Sequence, residues 1–283
     1  MTNIDQFESV FKAADKTPFS AERIRVDSVL VLSGDDDQLG QVLDRMAREF
    51  LASLEPAPRW LSLTGSEFDQ VEGFVAQVEA AAPDLICTYR NLKTPAHDYP
   101  YSLGVFVEVL TQATSIPVML LPAPSVLAGR TTSAKKRNNV MAITDHLTGD
   151  HHLVSFAAYF TESSGTLHLS HVEDAVTFER YIETIARIPA IDTDTARETI
   201  RHQLLKEPHD YIRSCQRALG RNQHLQISEV IRLGHQLTDY KELIEEHQID
   251  LLVMNTKDAE QAAMHGLAYP LAVELQELPL LLL

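Results

Sequence analysis

A chain of 283 residues with a formal net charge of −16 has little basic surface with which to neutralise phosphates, so neither nucleic acid nor an anionic membrane surface is an expected partner. Two cysteines, Cys87 and Cys215, are too few for a disulfide framework and fit a reducing compartment. No apolar run approaches the roughly 20 residues a bilayer requires, and residues 1–5 lack the basic and apolar parts of a signal peptide, so a cytoplasmic protein without membrane insertion is expected.

Ile4, Phe7, Val10, Phe11 and Ala14 recur at helical spacing and Pro18 follows them, which predicts an N-terminal amphipathic arm within residues 1–26. Its apolar stripe must be buried on a flank of the molecule or on a partner.

Residues 27–122 alternate short apolar runs with amphipathic ones. Residues 29–32 are an unbroken Val and Leu run. Asp35, Asp36 and Asp37 then open a helix carrying Leu39, Val42, Leu43, Met46 and Phe50, where acids suit the positive end of the helix dipole. A second strand spans 60–63. Phe68, Val71, Phe74, Val75 and Val78 form a helical stripe, and 84–88 is a third strand. A helix follows Gly104, and Pro117 opens a fourth strand. Apolar strands alternating with amphipathic helices indicate a parallel sheet covered on both faces. The polar stretch 123–138, basic over 130–137, reads as a solvated interdomain linker, with phosphate or an acidic partner as the alternative use of its charge.

Residues 139–283 begin with a strand at 140–143 that leads to Asp145 and His146. A helix then carries Leu153, Phe156, Ala157 and Phe160, and a second strand spans 166–172. The stretch 173–221 reads as a helical insertion. One helix carries Phe178 and Ile182. A second, capped near Asp192, is expected to break or kink at Pro208 and to stop near Gly220. A third strand at 224–231, a helix after Thr238 and a strand at 250–254 complete the unit.

The two segments share one pattern. Asp84-Leu85-Ile86, Gly104 and Pro117-Val118 in the first answer to Asp250-Leu251-Leu252, Gly266 and Pro279-Leu280 in the second, with the same spacing from Gly to Pro. Each segment is thus one copy of an α/β unit. The first is reduced: it lacks the third strand and the helix beside it. Two doubly wound parallel-sheet domains follow. The final strands, Val118, Met119, Leu120 and Leu121 in one copy and Leu280, Leu281 and Leu282 in the other, are apolar sheet edges. Left bare they would aggregate, so they are expected to pair with each other or with another chain, as in a homodimer.

This order of landmarks resembles the universal stress protein family, of the adenine nucleotide alpha hydrolase-like fold, in a tandem form. The matches are Asp145 closing the first strand, His171-Val172-Glu173 ending the second, and the doubled Asp, Gly and Pro positions. The resemblance implies an ATP site where the fourth strand leads into a loop of two glycines, then a Gly-Ser or Gly-Thr at a helix start. Glycines there let backbone N–H groups approach phosphates. This chain has Asn255 and Asp258 at the two glycine positions of the second copy, and Leu267 after Gly266. The first copy has Tyr89 and Leu92, then Gly104-Val105. Neither loop should cradle a triphosphate, so no cofactor is expected, with ATP or another adenine nucleotide as the alternative. A degenerate pocket would comprise Asp145, His146, Asn255, Thr256 and Gly266, and its first-copy counterpart Ser33, Gly34, Tyr89 and Gly104.

Twelve histidines invite a metal reading, but His168 and His171 alternate to opposite sheet faces and metal ligands must converge. The chain contains no Gly-x-Ser for a nucleophile elbow and no Walker loop. The expected class is a non-catalytic regulatory or scaffold protein acting through an unidentified protein partner, one form being an accessory subunit of a membrane transporter. The alternative is a nucleotide or small-ligand sensor with a rebuilt second pocket and weak hydrolase activity.

Overall fold

The computed structural model describes residues 18–68, 70–94, 99, 101–124, 136–144, 147–220, 225–256 and 266–283. The first copy runs β1 (Ser28–Leu32), α1 (Asp37–Phe50), β2 (Arg59–Leu63), α2 (Val71–Ala81), β3 (Leu85–Tyr89), α3 (Val105–Ala113) and β4 (Val118–Leu121). The second runs β5 (Asn139–Ile143), α4 (His151–Phe160), β6 (Thr166–Asp174), α5 (Ala175–Ile185), α6 (Thr193–Leu219), β7 (Gln226–Gly234), α7 (Gln236–Glu246), β8 (Leu251–Met254), α8 (Ala268–Glu274) and β9 (Leu280–Leu282). Among the described residues no helix is long and apolar enough to cross a membrane.

Local chemistry sets the helix starts. Asp36 caps α1 by accepting from the Gln38 and Leu39 N–H groups, so the acidic run serves the helix dipole. Asp174 and Asp192 cap α5 and α6 in the same way. Phe68 lies before α2 rather than in it; a 3-10 turn at Gly65–Glu67 intervenes. Its ring still packs on Phe74 and Phe106, at centroid separations of 4.8 and 5.4 Å. Pro208 does not interrupt α6, which is continuous over 27 residues. Proline lacks the N–H for one helical bond, but Pro208 is itself buried, so tertiary packing holds the turn.

The nine strands among the described residues join in one sheet, ordered β2-β1-β3-β4-β9-β8-β5-β6-β7. Every neighbouring pair is parallel except β4 with β9, which is antiparallel and sets Val118 against Leu282, Met119 against Leu281 and Leu120 against Leu280. β9 also pairs with β8, so both of its sides are used within the chain. Buried residues divide by sheet face rather than by copy. One face gathers Val29, Val31 and Met119 with Val140, Ala142 and Leu281; the other gathers Leu30, Ile86 and Leu120 with Met141, Leu252 and Leu280. The copies therefore share their cores.

The repeated landmarks do equal structural work. Asp84 Oδ2 accepts from Ser28 N at 2.8 Å, and Asp250 Oδ2 accepts from Asn139 N at 3.0 Å, so each clamps the first strand of its own copy. Pro117 and Pro279 offer carbonyls to Ile86 N and Leu252 N at 3.0 and 3.1 Å. Gly104 and Gly266 both have positive φ, +88° and +57°.

Polar keys reinforce the junction. Arg137, from the basic stretch read as a solvated linker, is 2 % exposed. Its Nε donates to Phe160 O at 2.9 Å and its Nη2 to Ser53 Oγ at 2.5 Å; Glu162 lies 3.1 Å away. Phe50 offers its ring face at 5.3 Å. These groups converge from distant segments, which is why the sequence pattern did not disclose the burial. Arg90, at the end of β3, reaches the C-terminal carbonyls of α8.

Candidate functional site

In a doubly wound sheet, ligands bind beyond the carboxyl ends of the strands where the winding reverses. These switch points fall between β1 and β3 and between β5 and β8. Because β4 and β9 are antiparallel, the two crevices open at opposite ends of the sheet and cannot merge.

The first crevice is filled by the chain itself. Tyr89 ends β3, and its hydroxyl accepts from Gly34 N at 3.2 Å. A side chain at Gly34 would meet that hydroxyl at 2.8 Å. Desolvation raises the Tyr89 pKa, keeping the phenol neutral. The Lys93 ammonium donates to Gly65 O at 2.8 Å and Phe68 O at 2.6 Å, and lies 3.3 Å from the Asp35 carboxylate. Ser33 N donates to Leu63 O, and Gly65 N to Gly34 O. The loops after β1, β2 and β3 thus satisfy one another.

The start of α3 is similarly spent. Glu108 Oε1 accepts from Ser102 Oγ at 2.8 Å and Leu103 N at 3.3 Å, and from Tyr269 Oη of the other copy at 3.0 Å. A carboxylate thereby occupies the helix end that would attract a phosphate. Gly104 is required on two counts: its positive φ, and the 2.8 Å that a Cβ would leave to Asn91 Cα. Its role is the close approach of helix and loop.

In the second crevice, Asp145 and His146 lie outside the described residues, as does Asp258. Asn255 and Thr256 follow β8 but their side chains diverge. Asn255 Nδ2 donates to Asp150 Oδ2 at 2.6 Å, and Asp150 Oδ1 caps α4 by accepting from Leu153 N at 3.0 Å. Burial raises the Asp150 pKa against the opposing effect of these two bonds. Thr256 donates from N and Oγ1 to Leu283 O, at 2.9 and 2.8 Å, fastening β8 to the end of β9. On the other side β5 stops at Ile143, opposite Ser170. Val172 beyond it is served by α7: its N–H donates to Tyr240 Oη at 3.0 Å and its carbonyl accepts from Gln236 Nε2 at 3.1 Å. Lys93, Asp150, Gln236 and Tyr240 were not singled out by sequence pattern; Tyr240 sits in an ordinary helical stripe and Lys93 in a loop without a motif.

Among the described residues no group of three or more His, Cys, Asp or Glu side chains could hold a metal ion. His171 Nε2 is 3.1 Å from Glu173 Oε2. His168 packs its ring 4.6 Å from that of His247, and neither of its nitrogens has a hydrogen-bond partner. Burial, then the neighbouring His247, pulls its pKa from 6.5 down to about 4. The unfolded chain therefore binds a proton there between these two values and the folded chain does not, so this contribution to stability is present above pH 6.5 and is lost as the pH falls towards 4. His168→Leu should remove about 2 kcal/mol of that acid sensitivity. Urea midpoints at pH 7 and 4.5 test it: the parent should lose more stability than the variant, and equal losses would refute the assignment.

No family model matches the chain, and no curated protein matches it. Solved structures do. A universal stress protein from Archaeoglobus fulgidus DSM 4304 aligns with a TM-score of 0.54 at 12% identity, over 92% of this chain and 98% of that one. A functionally unknown protein from Pseudomonas aeruginosa PAO1 aligns at 0.54 and 14%, over 91% and 92%. A universal stress protein candidate from Pseudomonas aeruginosa UCBPP-PA14 aligns at 0.55 and 13%, over 91% and 93%. The fold is that of the universal stress proteins. The similarity runs through both copies of this chain.

Proposed function

We propose that the protein is a non-catalytic regulatory or scaffold protein of the universal stress type, acting through protein contacts and not holding ATP in the family manner. One observation carries this reading: the polar groups at the described crevice positions are bonded to the chain itself. Tyr89 occupies Gly34 N–H, Glu108 occupies the α3 N-terminus, Asn255 is turned to Asp150 and Thr256 to Leu283. A nucleotide would have to break these bonds and leave buried groups unpaired, at about 1–3 kcal/mol each.

A second reading, a small-ligand sensor in the second crevice, is favoured by one difference between the copies. Asn255 reaches sideways to a helix cap, whereas Tyr89 plugs its own crevice with a ring. Mass spectrometry of small molecules released from the native protein, followed by calorimetry with ATP and ADP, separates the two. The scaffold reading expects no stoichiometric nucleotide and no binding heat. One nucleotide per chain would overturn it.

A further inference from the structure

We propose that the cleft between α3 and α8 docks an arginine side chain of a partner protein, from a segment in which apolar residues flank that arginine. The proposal rests on the scaffold reading and deepens it by naming the partner's chemistry.

The cleft lies where the two copies meet. Leu103, Glu108, Thr111 and Gln112 of the first copy and Tyr269 of the second line a half-open cavity of about 50 Å³. That is room for one side-chain head group and not for a nucleotide. Each polar side chain on its wall can accept a hydrogen bond, and no lysine or arginine is among them. Glu108 Oε1 takes the donors from Ser102 Oγ, Leu103 N and Tyr269 Oη, which leaves the second carboxylate oxygen to the cleft. Burial, then the bond to Glu108, raises the Tyr269 pKa, so the phenol stays neutral beside the carboxylate. A helix start, ordinarily an anion site, here carries a fixed negative charge and selects for a cation.

The surface beside the cleft is apolar and exposed. Among the described residues, large hydrophobic side chains stand exposed at Tyr99, Tyr101 and Val105, by 56, 84 and 49 %. All three fall within positions 99–105, which lead directly into the cleft. Val105, Glu108 and Gln112 recur at steps of three and four, so the exposed valine continues the side of α3 that bears the carboxylate. Clustered exposed apolar residues beside a polar anchor mark an interaction surface.

Charge and shape select the occupant. A guanidinium brings several donors in a fixed plane, enough for Glu108, Thr111 and Gln112 together, and that plane can stack on the Tyr269 ring. Its methylene stem suits Leu103. Arginine anchors between aromatic residues are also the usual hot spots of protein interfaces. The formal net charge of −16 steers a basic segment towards this chain.

Amide NMR titrations of the full chain test the proposal. The peptide acetyl-Leu-Arg-Leu-amide should give saturable shifts at Leu103, Thr111, Gln112 and Tyr269, and also at Tyr101 and Val105. It should bind about tenfold more tightly than agmatine, which lacks the flanking leucines. Agmatine binding as tightly as the peptide would assign the cleft to free amines and overturn the docking role. The same shifts from acetyl-Leu-Glu-Leu-amide would overturn the choice of a cation. Glu108→Gln keeps one oxygen for the three internal donors and puts an NH₂ where the free oxygen was. It should weaken the arginine peptide about tenfold. Should that variant fold poorly, Gln112→Lys gives a separate readout: four residues after Glu108, its ammonium fills the cleft from within and should abolish the shifts. Unchanged binding in either folded variant, or no shifts from the arginine peptide, would sink the idea. Bound ATP would overturn the scaffold reading without moving these shifts, and their absence would overturn the cleft alone.

Discussion

Removal of residues 280–283 is expected to leave aggregated protein with no cooperative melt. β9 is not an edge but an interior strand, held between β8 and β4, and Leu280, Leu281 and Leu282 are at most 2 % exposed. Each buried leucine contributes about 1.5–3 kcal/mol, so three already approach the 5–15 kcal/mol that holds a typical domain together. The deletion also bares β4 and β8 as apolar edges, and it removes the carbonyl of Leu283 that anchors Thr256. Leu281→Asp should act in the same direction by placing a carboxylate between two strands and in a core shared by both copies. Light scattering after size exclusion, with a thermal melt, provides the measurement. A truncated protein with the parent's mass and melting temperature would mean that β9 does not join the copies.

The architecture was legible in the sequence because its signals are local or doubled. Apolar runs bounded by helical stripes gave the strand and helix order, and the repeated Asp, Gly and Pro positions mark equal contacts: Asp84 and Asp250 each clamp a first strand. The shortened first copy was legible for the same reason, since among the described residues β7 has no counterpart there. What escaped depends on groups far apart in the chain. Tyr89 was visible as a glycine lost from a phosphate loop, yet its hydroxyl bond to Gly34 requires the β1 and β3 loops to meet. Arg137 looked like part of a solvated basic run, and only the approach of Phe50, Ser53, Phe160 and Glu162 buries it. Pro208 suggested a break because propensity opposes proline within a helix; its burial outweighs that preference. Crevice chemistry is therefore the part least readable from spacing, because it turns on which loop fills which space.

Arg90 makes the strongest case for this long-range logic, and its replacement should be the most damaging single polar change. The side chain leaves the end of β3 in one copy and is 6 % exposed. Its Nε donates to Ala272 O at 2.6 Å, its Nη2 to Leu275 O at 2.7 Å and its Nη1 to Gln276 O at 3.4 Å. These are carbonyls at the C-terminal end of α8, which its own helix cannot satisfy, and a cation there also opposes the negative end of the helix dipole. Burial lowers the guanidinium pKa from 12.5 to about 10, so the group remains charged at neutral pH. Arg90→Met keeps much of the volume and strands the carbonyls. With charge-assisted bonds contributing about 1.5–3 kcal/mol each, and some relaxation of α8, the loss should be about 3 kcal/mol, or about 6–12 °C in melting temperature. Arg90→Lys should recover little of it, because a single ammonium cannot reproduce a planar fork aimed at separate acceptors. Calorimetric melts of the two variants decide the matter. If the lysine variant melts with the parent, charge alone suffices and the fork is dispensable; if both variants do, α8 is held by its apolar face and the guanidinium is not what locks the copies together.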